Sequence, residues 1–287
     1  MNEINPQEVH TTNATLSSEP AIKAARNAVA QEGIDKLSVD RDLVRELTTA
    51  TSHKLDKWGA ANQKASGRCW IFAGLNSLRG GIMDRTNTKD FELSQTYLYF
   101  YDKLEKANWF LTAVDELKDR EITDRTLTKL MDDPIGDGGQ WSMFVSLVEK
   151  YGVVPKYAMP ETASSEASAM LNRNLQTVLR RAAHQIRVGK SGAQEQALAD
   201  VYRILTANLG LPPTDFQWQY RDKDDNFHRE GTFTPQDFAR EYLPKDLGEY
   251  VCVVNDPRNN YGELYTVDYL GNVVGEKVTY LNAPVEV

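Results

Sequence analysis

A glutamine and a cysteine, Gln63 and Cys69, stand six positions apart in the run Gln63-Lys64-Ala65-Ser66-Gly67-Arg68-Cys69-Trp70-Ile71-Phe72-Ala73. The cysteine sits where a mostly apolar, helix-like stretch begins. A thiol at a helix N-terminus meets unpaired backbone N–H groups and the positive end of the helix dipole, and both favour the nucleophilic thiolate. Arg68 adds positive charge if its side chain turns toward the sulfur. Ser66 and Gly67 suit a tight entry into the helix. The Gln63 amide and the Cys69 backbone N–H could together donate to an oxyanion, the layout of acyl transfer through a thiol. Trp70 would pack behind the nucleophile. The competing reading is structural: a lone cysteine before Trp-Ile-Phe is commonly a small buried apolar residue. Catalysis also needs a histidine base and an orienting Asn or Asp.

The elements that would position these residues can be followed along the chain. Residues 1–19 offer little apolar surface and are expected to be disordered or loosely attached. Ala21–Glu32 is rich in helix formers and stops before Gly33, a plausible C′ glycine; Asp40–Lys54 carries a second helical pattern. After Cys69 the chain is apolar on most faces until Leu78, as expected of a central packed helix, and Gly80 and Gly81 then weaken the pattern. Ser94–Leu104 opens on a possible N-cap and is rich in aromatics, and Trp141–Tyr151 is amphipathic and closed by Gly152. From Pro160 the character shifts to two long polar-faced helices, the second stopped by Gly210 and Pro212. Thr234-Pro235-Gln236-Asp237 is a helix start with cap, proline and first-turn acid. After Tyr250 the period becomes two: Tyr250–Val254, Glu263–Leu270 and Lys277–Leu281 read as strands, with Gly271-Asn272 as a turn. The expected divisions are 1–19 as the loose segment, 20–159 as a helical lobe with the candidate nucleophile, 160–248 as a helical insertion and 249–287 as the start of a β lobe.

Composition bounds the rest. The 287 residues, 41% apolar and 26% charged, suffice for one large or two ordinary domains. No apolar run nears the ~20 residues of a membrane span, and the polar, acidic N-terminus does not resemble a signal peptide. A net charge of −8 argues against a general nucleic-acid surface. Two distant cysteines, Cys69 and Cys252, suggest reduced thiols and a cytoplasmic location. Neither HExxH nor paired CxxC occurs, so no metal site is expected. Asp222–Asn226 opens like an EF-hand loop, but Phe227 and Phe233 occupy the positions that need Gly and Glu. Gly136, Gly138 and Gly139 fit no dinucleotide fingerprint. Trp109-Phe110 and Tyr97–Tyr101 read as core aromatics.

The segment QKASGRCWIFAGLN (63–76) resembles the active-site region of the bleomycin hydrolase and aminopeptidase C family within the papain clan. Asn76 and Arg79, Asp137-Gly138-Gly139-Gln140-Trp141, Tyr151-Gly152-Val153-Val154-Pro155, TFTPQDFAREYL (232–243) and YTVDYLGNVVG (265–275) extend the resemblance over nearly all of the chain from about residue 20. It implies an α+β, papain-like cysteine peptidase fold: a mainly helical lobe with a helical insertion, and the beginning of an incomplete β-barrel lobe. It assigns Cys69 as nucleophile and Gln63 as oxyanion donor. It also implies that Gly138 and Gly139, with Trp70, line the cleft for an extended peptide; from the residues alone, Gly-Gly before a helix is equally a flexible turn.

The same resemblance implies a cytoplasmic aminopeptidase that cleaves N-terminal peptide bonds through a thioester with neither metal nor organic cofactor. Its partners would be peptide substrates and further copies of itself in a homohexameric ring, with no membrane and no nucleic acid. The family's histidine base and its asparagine partner lie far downstream of the cysteine. Here the histidines are His10, His53, His184 and His228, and none has the family's surroundings for the base. The 287 residues alone are therefore expected to resemble the N-terminal portion of the enzyme and to turn over little, with Cys69 activated only by the helix dipole and Arg68. The alternative is a non-catalytic fragment or interaction module.

Overall fold

The computed structural model describes residues 4–47, 52 and 59–286, which fall into two compact units, Met1–Leu55 and Asp56–Val287. In the first unit helices α1 (Pro6–Ser18), α2 (Pro20–Glu32), α3 (Ile34–Leu37) and α4 (Arg41–Glu46) follow one another, and none of their residues is buried. The segment expected to be disordered or loosely attached is thus helical over Pro6–Ser18. Its capping chemistry accounts for this: the Asn5 side chain accepts from the Gln7 N–H, and Pro6 occupies the first turn. Gly33 closes α2 with a positive φ of 76°, a conformation that costs glycine little. The helical pattern over Asp40–Lys54 is realised as α4, capped by Asp40; most of its remainder lies outside the described residues.

The second unit is built on three helices: α5 (Cys69–Thr86), α6 (Gln95–Glu116) and, after the short α7 (Arg125–Asp132), α8 (Trp141–Tyr151). Ile71, Leu75, Leu78 and Ile82 of α5 meet Leu98, Phe110 and Leu111 of α6 and Phe144 and Leu147 of α8 in one apolar core. α5 runs through Gly80 and Gly81, which sequence alone marks as a weak point, because Ile82 and Met83 beyond them are buried. Ser94 caps α6, accepting from the Tyr97 N–H at 3.1 Å.

Residues 160–248 add α9 (Ala163–Glu166), α10 (Ala169–Arg187), α11 (Ala193–Leu209) and α12 (Pro235–Tyr242). They also hold an antiparallel hairpin, β1 (Phe216–Arg221) with β2 (Phe227–Phe233), that a purely helical insertion does not anticipate. Trp218 of β1 is 1% exposed and packs edge-on to Phe238 of α12. Leu171, Leu175 and Leu179 of α10 and Val201 and Leu205 of α11 join the same core as α6.

The last segment forms β3 (Cys252–Val254), β4 (Leu264–Thr266) and β5 (Thr279–Asn282) in the order β3-β5-β4, with β3 parallel and β4 antiparallel to β5. Neither sheet closes into a barrel. The strands are shorter than their alternation predicts, and the expected turn at Gly271-Asn272 is an anchor instead. Asn272 is 1% exposed, donates to the Met143 carbonyl at 3.1 Å and to Asp102 at 3.4 Å, and so ties this segment to α8 and α6. Among the described residues no helix is long and apolar enough to cross a membrane.

Replacing Asn272 with Ala removes two buried hydrogen bonds, to α6 and to α8. The expected loss is about 1–3 kcal/mol, read from urea unfolding, with faster proteolysis across residues 249–287; unchanged stability and cleavage would refute the anchoring role.

Candidate active site

Cys69 is the first residue of α5 and is solvent-exposed with a free thiol. The first intrahelical bond runs from the Phe72 N–H to the Arg68 carbonyl at 3.0 Å, so the N–H groups of Cys69, Trp70 and Ile71 have no partner within the helix. No side chain caps this end, and no acid lies in its first turn. The sulfur is therefore carried at an uncapped helix N-terminus, as its sequence position predicts.

A tight loop delivers the chain to that point. The Gln63 amide nitrogen donates to the Ser66 carbonyl at 2.8 Å, and the Ser66 hydroxyl donates back to the Gln63 carbonyl at 2.6 Å. Between them Lys64 takes a positive φ of 55°. The Ala65 N–H bonds to the Glu166 carbonyl at 2.9 Å, fastening the loop to α9. One amide hydrogen of Gln63 is thereby used locally; an amide carries two, which leaves the second to donate elsewhere.

Arg68 does not turn toward the sulfur. Its guanidinium is fully buried, bidentate to Glu161 at 3.1 and 2.8 Å, bonded to Ser66 Oγ at 3.0 Å, and laid over the Phe72 and Tyr99 rings. Burial pushes the Glu161 carboxyl up, but hydrogen bonds from Arg68 and Ser165 outweigh it and hold the group ionised below its ordinary range. The expectation that Arg68 helps activate Cys69 fails, because a planar fork flanked by aromatics and facing a carboxylate is satisfied inward.

Trp70 links the helix start to a second loop. Its indole N–H donates to the Asp137 carbonyl at 2.7 Å, and its ring lies directly on Gly139: a Cβ there would come within 2.5 Å of the indole. Gly67 meets Asp137 the same way, at 2.4 Å from a notional Cβ. The two loops touch through positions that tolerate no side chain, which is why the Gly-Gly pair lies beside Cys69. Gly138 is different; nothing lies within 4 Å of its Cβ position.

The 135–139 loop is held from below by α6. Lys103 Nζ donates to the carbonyls of Ile135 (2.9 Å) and Gly136 (3.1 Å) and pairs with Asp137 at 2.6 Å. Lys106 Nζ donates to the carbonyls of Gly136 (2.9 Å) and Gly138 (2.7 Å) and pairs with the buried Asp102 at 2.8 Å. Asp137 also accepts from Ser168 (3.0 Å) and Asn172 (2.8 Å). Burial would raise the Asp137 carboxyl, but the charge of Lys103 and the hydrogen bonds from Lys103, Asn172 and Ser168 bring it down to about 2. Lys103 is itself lowered to about 8 by burial and by the neighbouring Lys106 charge, against the pull of Asp137 and Asp102. Sequence reading missed this network; its one signal was a pair of lysines on the buried aromatic face of the helix after Ser94. A groove of about 340 Å³ runs beside the loop, bounded by Gly138, Gly139 and Met143 on one side and by Tyr269 and Leu270 on the other.

The histidines are elsewhere. His184 is exposed on α10, and His228 lies 3.0 Å from Asp222 and stacks on Tyr220 in the hairpin. His10 belongs to α1 in the other unit, and His53 lies outside the described residues. Among the described residues no imidazole is hydrogen-bonded to Cys69.

Two tests probe this geometry. Ala at Gly67 or Gly139 should cost about 1–3 kcal/mol by forced repacking, while Gly138→Ala should stay within about 0.5 kcal/mol; equal thermal melts for all three would refute the close approach. Because the folded pKa of Asp137 is depressed from 3.8 to about 2, its contribution is full above pH 3.8 and is lost as pH falls toward 2. Asp137→Asn should cost about 3 kcal/mol at neutral pH by stranding the buried Lys103 and flatten the stability curve within that acid window.

The pattern of the Peptidase C1-like family matches residues 3–287. Aminopeptidase C of Lactobacillus delbrueckii subsp. lactis is 41% identical, covering 98% of this chain and 65% of its own length. Bleomycin hydrolase of Rattus norvegicus is 38% identical, covering 99% of this chain and 66% of its own length. The crystal structure of pepw from Lactobacillus rhamnosis HN001 superposes with a TM-score of 0.92 at 40% identity, over 99% of this chain and 66% of that one. The chain thus spans somewhat less than two thirds of the length of these proteins, and its papain-like fold is shared with them.

Proposed function

Since the chain belongs to the Peptidase C1-like family, we propose that it carries the nucleophile half of a cysteine-type aminopeptidase site, with Cys69 attacking the carbonyl of an N-terminal peptide bond. The observation that carries this reading is an exposed thiol on the first residue of an uncapped, buried helix, beside a glycine loop with open backbone. Sγ adds to the carbonyl carbon, and the oxyanion is met by the Cys69 N–H and the second amide hydrogen of Gln63. Collapse expels the amine and leaves a thioester, which water hydrolyses. Gly138 and Gly139 supply the wall for the extended peptide, and Trp70 holds that wall against the helix. Relatives named aminopeptidase C and bleomycin hydrolase support the substrate class. A hexameric ring in the cytoplasm, with sites facing an internal channel, is the assembly we infer from the same kinship.

Proton transfer is the step for which the described residues place no imidazole on Cys69. The thiol proton must leave and the departing amine must gain one, and a positioned acid–base contributes about 10²–10⁴-fold. We therefore propose that the polypeptide of residues 1–287 by itself hydrolyses peptides slowly or not at all while Cys69 still alkylates. The experiment pairs an aminoacyl fluorogenic substrate with an epoxide thiol probe. Probe labelling at Cys69 with turnover at the Cys69→Ala background is expected. Robust hydrolysis abolished by Cys69→Ala would overturn the low-turnover reading; a thiol inert to the probe would favour the non-catalytic alternative.

A further inference from the structure

The carbonyls of Gly136, Asp137 and Gly138 are all taken by side chains of the two helices beneath the loop: Lys103 and Lys106 of α6 and Trp70 of α5. Every peptide bond among the described residues is trans. In a trans peptide unit the C=O and the following N–H point in opposite directions. The N–H of Gly138 therefore points away from the Trp70 indole nitrogen, and the N–H of Gly139 points away from Lys106. Neither has a hydrogen-bond partner among the described residues. Gly138 is exposed, with open space at its Cβ position. The loop thus presents two adjacent donors outward because its acceptors are tied inward.

We infer that Lys106 is a positioning residue for substrate: by holding the Gly138 carbonyl inward it fixes the Gly139 N–H as a donor facing the cleft, where it takes a carbonyl oxygen of an extended peptide. Several features make Lys106 the determinant. It is 7% exposed and sits within the fold, not on a solvated face. Its ammonium bridges two carbonyls of the loop, at 2.9 and 2.7 Å, and lies 5.2 Å from the Trp70 ring. Asp102, fully buried one turn earlier on α6, pairs with it at 2.8 Å and holds the ammonium in register. With Lys106 removed, the 138–139 peptide plane loses the one side-chain bond it has among the described residues and is free to rotate, since two glycines resist rotation least. This inference rests on the proposed role of Cys69 and of the glycine loop as substrate wall.

The test uses the 287-residue protein and reads Cys69 alkylation, so it needs no turnover. The ratio of inactivation rates for a dipeptidyl chloromethyl ketone and for iodoacetamide cancels the intrinsic reactivity of the thiol and reports the peptide wall alone. The native protein should prefer the peptidyl reagent, and Lys106→Met should lower that preference about 10- to 100-fold, the scale expected of a misplaced positioning group, with little change in the iodoacetamide rate. Because Lys106→Met leaves Asp102 buried and unpaired, the neutral double variant Asp102→Asn/Lys106→Met is measured beside it and should show the same loss. A native protein without peptidyl preference overturns the substrate-wall reading itself. A native preference that survives in either folded variant overturns only the role of Lys106. If neither variant keeps the native far-UV spectrum, the ammonium serves the core and the inference falls.

Discussion

Two ammonium groups on one helix govern the arrangement around Cys69. Lys103 and Lys106 are both buried on α6, and between them they hold the carbonyls of Ile135, Gly136 and Gly138. Each has a carboxylate partner, Asp137 and Asp102. Burying a charge is tolerable only when it is paired and its donors are satisfied. Here the satisfied donors are what shape the loop. An irregular segment with no ladder or helix of its own thus has its backbone acceptors satisfied by buried side chains.

From that loop the constraint passes to the helix that carries the thiol. Trp70 joins α5 to the Asp137 carbonyl, and Gly67 and Gly139 permit contact distances that any side chain would prevent. Glu161 and Arg68 complete the frame from the other side, locking the residue before Cys69 into the core. The exposed sulfur is thus mounted on a firm base: the groups behind it are buried, bonded and charge-balanced, while the N–H groups at its helix start have no partner among the described residues. Preorganised donors of this kind stabilise developing charge without reorganising, which is the physical basis for reading the site as one for acyl transfer.

The kinship of the chain sharpens this picture without completing it. The papain-like fold extends over 99% of the chain at a TM-score of 0.92, and the short strands β3, β4 and β5 stop short of a closed barrel. Asn272 shows how this last segment is attached: a single buried amide reaches both α6 and α8, and α6 is the helix that carries the two lysines. The β segment and the candidate substrate loop therefore share one support.

Much of this was legible in the residues themselves. The helix after Cys69, the caps at Ser94 and Thr234 and the closing glycines at 33 and 152 follow from short-range rules of period and capping. The wording around Gln63 and Cys69, with Asp137-Gly138-Gly139, placed the chain in its family. The direction of Arg68, the buried role of Asn272, the burial of Trp218 and the Lys103–Asp137 pair were not legible. Each depends on a partner tens of residues away: Glu161 for Arg68, Asp102 for Asn272, Phe238 for Trp218, Asp137 for Lys103. Sequence by itself determined which residues are the candidates for the chemistry, because candidacy depends on local type and spacing. Only the tertiary structure decided which charges face inward, because burial energies are set by whatever packs against a side chain and not by its neighbours along the chain.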